Sequence, residues 1–326
     1  MRATRQSQRC KPAHVTRRTF LQTSIALPCT AAIPTSTSAS NTSPIPQGKR
    51  APVINAAEHA WVINDPRFPI DPKLSNCPQA NPKYSQSMEY LLRQMEIHRV
   101  GKVVISHVCY YGTDNSYPIH CVKSHPDRFA AIALLVGYRL HRPDDKENPS
   151  RLERLMKEDK LSGLRLSPIY DRDVVWLNDP ASYPLWKKAE ELGAAFNIFL
   201  APHQIGQIAD MARRFPGVKV VIDHFAMMDI TRPDCEGIDQ ILALEPLQNV
   251  FIRTSLHNLS KEQIPYRDVW PYLKRVYETF GPRRMLYGNF YELLIMKDLI
   301  PFFSKEDKEW ILGRTAAGIY RFEGSD

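Results

Sequence analysis

Three familiar patterns are absent from this sequence of 326 residues. Beyond the first fifty residues no run approaches the ~18 apolar residues of a membrane-spanning helix, so no membrane span is expected. The six cysteines include no C-x-x-C pair, which excludes a zinc knuckle. No G-x-G-x-x-G turn follows the first predicted strand, which counts against a dinucleotide-binding open sheet.

Acidic residues are also missing from the first fifty positions, which hold eight of the 43 Lys and Arg residues. The rest of the chain then has 35 basic and 35 acidic residues, so it carries no formal net charge. The overall charge of +8 therefore belongs to the N-terminal segment. It gives no indication of a nucleic-acid partner for the folded part of the chain.

The N-terminal segment resembles a twin-arginine export signal. Arg17 and Arg18 are followed by Phe20 and Leu21, then by a weakly apolar stretch at 24–33 and a Ser/Thr/Pro/Ala tract. We expect residues 1–50 to be an export leader and linker that binds the twin-arginine translocation machinery, with a periplasmic location for residues 51–326. A disordered basic tail is one alternative. A lipoprotein signal at Cys29 is another, although the preceding proline fits it poorly.

Four cysteines follow the leader, namely Cys77, Cys109, Cys121 and Cys235. A core of this size does not need disulfides, so free and mostly buried thiols are expected. A bridge between Cys109 and Cys121 is the alternative, because both flank one loop and helix.

Eight strand-like runs alternate with helical segments between residue 53 and the C terminus. The runs are nearly continuous in apolar residues, as is typical of parallel strands covered by helices. The predicted strands are 53–59, 102–108, 130–136, 161–166, 196–200, 218–225, 250–255 and 284–287. The predicted helices are 84–98, 116–124, 150–157, 183–192, 204–215, 237–244, 269–280, 296–303 and 305–320. This order predicts an α/β fold, a single-domain (β/α)8 TIM barrel, with a doubly wound open sheet as the alternative.

Functional side chains of a TIM barrel lie at the carboxyl ends of its strands. This rule selects eleven candidates, which are His59, His107, Arg165, Ser167, Phe199, Asp223, His224, Ser255, His257, Asn289 and Phe290. Asp223 and His224 are consecutive, and successive strand residues point to opposite faces, so only one of them is expected to face the barrel interior. His107 and His257 are expected to be structural.

Several segments resemble the amidohydrolase-related family, in the branch of the sugar lactonases and pyrone-dicarboxylate lactonases. They are INAAEHAW at 54–61, GLRL at 163–166, VIDHF at 221–225 and GRTAA at 313–317, in the order of that family. The resemblance implies a TIM-barrel hydrolase. In its metal-dependent members the ligands are two histidines on strand one, a histidine on strand five and an aspartate on strand eight, and the family pattern adds a histidine on strand six.

Only two positions of that histidine and aspartate pattern are retained here, His59 and His224. Ala57, Phe199 and Phe290 stand at the other three. Two histidines alone bind a divalent ion weakly, so zinc or manganese is doubtful as a cofactor and His59 and His224 form at most a partial metal site. The two phenylalanines are expected to make the pocket smaller and drier.

The resemblance then leads to three hypotheses. The first is a hydrolase for a small carboxylate-bearing lactone, ester or amide, with His224 and His59 as catalytic residues and Arg165 as the carboxylate-binding residue. The second is a barrel that has lost catalysis and is retained for ligand binding or as an exported structural partner. The third, a decarboxylase of the same family, requires the metal set. An ion pair with a neighbouring loop is the structural alternative for Arg165.

Overall fold

A computed structural model describes residues 51–70, 82–135, 145–170, 176–232 and 237–324. The chain divides into the units Met1–Gly48 and Lys49–Asp326, and every described residue lies in the second. The predicted export leader therefore lies outside the described residues, as do Cys77 and Cys235.

Eight parallel strands form a closed barrel. They are β1 (Ile54–Glu58), β2 (Lys102–Ser106), β3 (Phe129–Ile132), β4 (Gly163–Leu166), β5 (Ala195–Ile198), β6 (Lys219–Ile222), β7 (Val250–Arg253) and β8 (Met285–Leu286). Neighbours in sequence pair in parallel within β1–β3 and within β4–β8. A bridge between Ala133 and Leu164 joins the two sets, and the Ala56 amide donates to the Tyr287 carbonyl at 3.1 Å to close the ring. The predicted barrel is confirmed, and the open-sheet alternative is wrong.

Two apolar clusters show how the strands are covered. Val103 and Val104 are adjacent in β2 but belong to different clusters, as strand alternation requires. The smaller cluster takes small or branched residues from six strands, such as Ala56, Ala130 and Val221, and fills the barrel interior. The larger cluster packs the outer strand faces against the helices. Both layers are needed because parallel strands must be buried on both faces.

Helices follow most of the strands. They are α1 (Met88–His98), α2 (Ser116–Ser124), α3 (Asn148–Lys157), α4 (Tyr183–Leu192), α5 (Ile205–Arg214), α6 (Ile238–Leu242), α7 (Leu256–Leu259), α8 (Trp270–Phe280), α9 (Lys305–Glu309) and α10 (Thr315–Ile319). The π-helical turn Trp310–Arg314 links α9 to α10, and another, Ile295–Leu299, replaces the helix predicted at 296–303. Gly193 ends α4 in a left-handed conformation at φ 61°, as the sequence predicts. The short α7 was not predicted.

Most strands end before their predicted limits. The run 218–225 forms a strand only as far as Ile222, and the run 250–255 only as far as Arg253. The pairing ladder ends where the chain enters the loops at the barrel mouth, although these loops continue with buried residues. Apolar character therefore overestimates strand length at the functional end of the barrel.

Two further predictions concern cysteines and membranes. Cys109 is disulfide-bonded, whereas Cys121 is a free, buried thiol. The expectation of free thiols is wrong for Cys109, and the alternative bridge to Cys121 is also wrong.

No helix in the described part of the chain is long and apolar enough to cross a membrane.

Candidate functional site

A cavity of about 490 Å³ opens at the carboxyl ends of the barrel strands. It is lined by residues that follow seven of the eight strands, namely Ala57, Glu58, His59, Trp61, Ser106, Val108, Cys109, Tyr110, Arg165, Tyr170, Phe199, His224, Met227, Arg253, His257, Asn258 and Asn289. The three residues predicted to form the site, His59, His224 and Arg165, all line this one cavity. The volume suits a ligand of the size of a substituted small ring.

Arg165 reaches the cavity from the end of β4. It is only 5% exposed, its Nη1 donates to the His107 carbonyl at 3.0 Å, and its Nε has no partner. The guanidinium lies 5.7 Å from the centre of the Phe199 ring. Within the described residues no carboxylate forms an ion pair with Arg165, so the structural alternative of a salt bridge has no support there.

A second arginine, Arg253, ends β7 and binds both residues of the Asp223-His224 pair. Its Nε donates to Asp223 Oδ1 at 2.8 Å, and its Nη2 donates to His224 Nε2 at 3.0 Å. The Asp223 side chain is 0% exposed and that of Arg253 4% exposed, so this is a buried ion pair. Of the two, only His224 lines the cavity, but both contact the same guanidinium, which simple strand alternation does not allow.

The reason lies in the backbone after β6. The strand ends at Ile222, and residues 224–227 all adopt left-handed φ angles between 49° and 53°. Strand alternation no longer applies there, so both side chains turn towards Arg253. A left-handed conformation costs about 1–2 kcal/mol for each residue other than glycine. Such strain is typical of functional sites, where the surrounding contacts hold the backbone in place.

His224 is neutral and fully engaged. Burial lowers its pKa well below the usual value, and the positive charges of Arg253 and Arg165 lower it further. Because Nε2 accepts from Arg253, the single proton of the neutral ring lies on Nδ1. Asn258 Nδ2 lies 2.7 Å from Nδ1, and two donors cannot share a hydrogen bond, so we assign the amide oxygen to this position by exchanging the amide oxygen and nitrogen, and it then accepts that proton. The same amide lies 2.8 Å from the Ser255 hydroxyl, which can donate to it in turn.

His59 is also neutral. Burial and the nearby Arg165 lower its pKa to about 3. Its Nδ1 donates to the Ser106 carbonyl at 2.7 Å, which leaves Nε2 as an acceptor. His59 can therefore orient a water molecule or a hydroxyl group, but it is a weak base at neutral pH.

The donor set does not fit the divalent metal that the family resemblance implies. Among the described residues, no three His, Cys, Asp or Glu side chains converge as a metal site would require. The Nε2 lone pair of His224, which a metal would need, accepts from Arg253. Phe199 lines the cavity, as expected from its position. Phe290 does not, because its ring stacks on His98 at 5.4 Å, so the expectation that two rings narrow the pocket is wrong for Phe290.

Glu58 is a carboxyl group of the cavity that the sequence reasoning missed. It ends β1, and its Oε1 accepts from the Asn55 amide at 2.8 Å and from the Phe290 backbone amide at 3.1 Å. Burial raises the pKa of Glu58 to about 7, although these hydrogen bonds oppose the shift. The group therefore exchanges its proton near neutral pH. In the sequence, Glu58 lies between Ala57 and His59, two positions of the family pattern, and this was the feature that could have identified it.

His257 and Glu292 form a further pair that was not predicted as functional. His257 Nδ1 lies 2.6 Å from Glu292 Oε1, which also accepts from the His257 backbone amide at 2.9 Å.

Arg253 was also missed by the prediction from sequence. The feature that could have identified it is a charged residue at the end of a buried apolar strand. Gly288 gives Arg253 its space, since a Cβ there would lie 3.0 Å from Arg253 Nη1.

Comparisons with known proteins show the family of this chain. Residues 58–322 match the amidohydrolase family model. An L-fucono-1,5-lactonase from Burkholderia ambifaria is 27% identical over 167 residues, which are 50% of this chain and 56% of the lactonase. The chain thus matches little more than half the length of that curated relative.

Solved structures show the same fold at low sequence identity. A probable 2-pyrone-4,6-dicarboxylic acid hydrolase from Acinetobacter baumannii, with citric acid bound, is 17% identical with a TM-score of 0.66, covering 82% of this chain and 98% of its own. A 5-carboxyvanillate decarboxylase from Sphingomonas paucimobilis is 17% identical with a TM-score of 0.56, covering 83% and 99%. The family model spans most of the chain, and this protein therefore belongs to the amidohydrolase family.

Proposed function

We propose that this protein hydrolyses a small lactone, or a related ester or amide, that carries a carboxylate. One observation carries the proposal, namely the buried Arg165 guanidinium that lines the cavity without a carboxylate partner among the described residues. A buried and unpaired cation is unfavourable unless a ligand supplies the opposite charge. A guanidinium presents two parallel N–H donors, which match a carboxylate in a bidentate arrangement.

Arg253 supplies a second donor for the reacting carbonyl group. Its Nε and Nη2 bind Asp223 and His224, and no acceptor among the described residues binds its Nη1. We assign Nη1 to the carbonyl oxygen, where negative charge develops as the ring opens. In this proposal His224 and Asp223 hold the guanidinium in place, and His59 Nε2 accepts a hydrogen bond from the attacking water.

The relatives support a lactone as the substrate class. One is a lactonase of a neutral sugar lactone, and the other is described as the hydrolase of a lactone with two carboxylates. These two compounds differ in the feature that Arg165 would recognise. They therefore serve as test substrates without and with carboxylates, and each variant is compared with the wild type on the same lactone.

Replacing Arg165 with glutamine is expected to lower kcat/KM for 2-pyrone-4,6-dicarboxylate by about 10–100-fold, because a charge-assisted hydrogen bond contributes about 1.5–3 kcal/mol. Hydrolysis of L-fucono-1,5-lactone, which has no carboxylate, is expected to change little. Initial rates with both lactones measure the effect. Arg213→Gln serves as the control, since Arg213 is exposed on α5.

An equal loss with both lactones would show that Arg165 has a structural role and would count against carboxylate recognition. Tight binding of the dicarboxylate without turnover by the wild type would instead support the alternative of a binding barrel. Release of carbon dioxide from 5-carboxyvanillate would support the decarboxylase alternative.

We also propose that the site works without a divalent metal. Protein produced with excess zinc or manganese and then desalted is expected to hold less than about 0.1 equivalent of either, since of the two retained pattern histidines, His59 and His224, only His59 has a free ring nitrogen. Elemental analysis by mass spectrometry measures the content. One tightly bound equivalent that is lost in His59→Ala would contradict this proposal.

A further inference from the structure

We propose that His257 is the general base that activates water, with Glu292 as its positioning residue; this inference rests on the proposed hydrolysis. His257 lies in α7, directly after the end of β7, and lines the cavity. Its side chain is 34% exposed, whereas that of Glu292 is fully buried. A partly exposed histidine on a buried carboxylate is the arrangement that hydrolases use to orient an imidazole.

Glu292 fixes the tautomer of the ring. Because the carboxylate accepts the Nδ1 proton at 2.6 Å, the lone pair of neutral His257 lies on Nε2. No group among the described residues forms a hydrogen bond with this Nε2. The second carboxylate oxygen, Glu292 Oε2, is buried without a partner, and no Lys or Arg of the described chain forms an ion pair with Glu292. A positive charge on His257 would therefore lie in direct contact with this carboxylate, which has no other ion-pair partner among the described residues.

The loop after β8 holds Glu292 rigidly. Asn289 Oδ1 accepts from the Glu292 backbone amide at 3.0 Å, and the Asn289 backbone amide donates to Asn55 Oδ1 at 2.7 Å. Glu292 follows Phe290, the position of the strand-eight carboxylate in the family pattern, by two residues. The geometry thus keeps a carboxylate in this loop but uses it to orient a histidine.

The other histidines of the cavity are less suited to take a proton from water. His224 has both ring nitrogens engaged, by Arg253 and by Asn258. His59 is a weak base next to Arg165. Glu58 is the remaining competitor, since its carboxyl group lines the same cavity. The experiment must therefore separate His257 from Glu58.

In the proposed reaction His257 acts first as a base and then as an acid. His257 Nε2 takes a proton from water as the water oxygen forms a bond to the lactone carbonyl carbon. The bond between that carbon and the ring oxygen breaks, and the protonated imidazole returns its proton to the leaving oxygen, which is an alkoxide in a saturated lactone and an enolate in a pyrone. Water and lactone yield one hydroxy acid, and His257 is again neutral.

His257→Gly is expected to lower kcat for 2-pyrone-4,6-dicarboxylate by at least about 100-fold, as loss of a general base does, with little change in KM. Added imidazole is expected to restore part of the rate, and substituted imidazoles should do so in proportion to their basicity. If His257 had only a structural role, the restored rate would not depend on the basicity of the added imidazole. Glu292→Gln is expected to lower kcat less, with KM unchanged. His125→Ala, at the end of α2, is the control for substitution of a histidine remote from the mouth.

Each outcome decides between the two proposals. Full activity of His257→Gly together with loss of activity in Glu58→Gln would assign the base to Glu58 and overturn this inference alone. A loss in His257→Gly that no imidazole restores would also overturn it, provided that the circular dichroism spectrum matches the wild type. No hydrolysis of either test lactone by the wild type would overturn the proposed function, and the role of His257 with it.

Discussion

Replacing Arg253 with methionine is expected to lower the free energy of unfolding by about 3–5 kcal/mol at pH 7. Methionine retains much of the apolar stem but leaves the Asp223 carboxylate buried at 0% exposure without its cation. Asp223 Oδ2 already has no partner, so loss of the Nε contact would leave both oxygens unsatisfied. Urea unfolding followed by tryptophan fluorescence measures the change.

Two further variants make this expectation specific. Arg275→Met removes a surface ion pair with Asp239, whose side chains are 47% and 80% exposed, and is expected to cost less than about 1 kcal/mol. The double variant Asp223→Asn, Arg253→Met removes both charges and is expected to be more stable than the sum of the single changes predicts. Additive losses would contradict a coupled ion pair at this position.

Replacing Glu58 with glutamine is expected to stabilise the protein above neutral pH and to have little effect in acid. Burial raises the pKa of Glu58 to about 7 in the folded chain, so the folded chain keeps a proton that the unfolded chain releases at a lower pH. The wild type therefore has its full stability below the unfolded pKa of about 4.5 and loses stability as the pH rises through 7. Glutamine does not ionise and avoids this loss.

The difference in unfolding free energy between Glu58→Gln and the wild type is expected to rise by up to about 3 kcal/mol between pH 4.5 and pH 8. Chemical denaturation at a series of pH values measures it. Glu278→Gln, at an exposed position of α8, is the control and should show no such rise. A difference that stays constant with pH, or that falls as the pH rises, would show that Glu58 is ionised in the folded protein without penalty.

The sequence alone predicted the barrel because its evidence is local. Eight apolar runs separated by helical segments require a parallel sheet covered by helices, and Gly193 marks the end of α4 by its backbone freedom alone. The same reasoning placed His59, His224 and Arg165 at the carboxyl ends of three strands, and these three side chains line one cavity. Barrel closure ensures this convergence, since all carboxyl ends lie at one rim.

Only the tertiary structure decided how these residues are paired. Asp223 and His224 both contact Arg253 because the chain leaves β6 in a left-handed turn, which no periodicity of side chains predicts. Glu292 meets His257 across 35 residues of sequence, and Asn289 meets Asn55 across 234. Contacts of this kind depend on which side chains share the rim of a closed ring. The sequence therefore placed His59, His224 and Arg165 at the site. The fold added Glu58 and Arg253, and it determined which charges neutralise one another and which are left for a substrate.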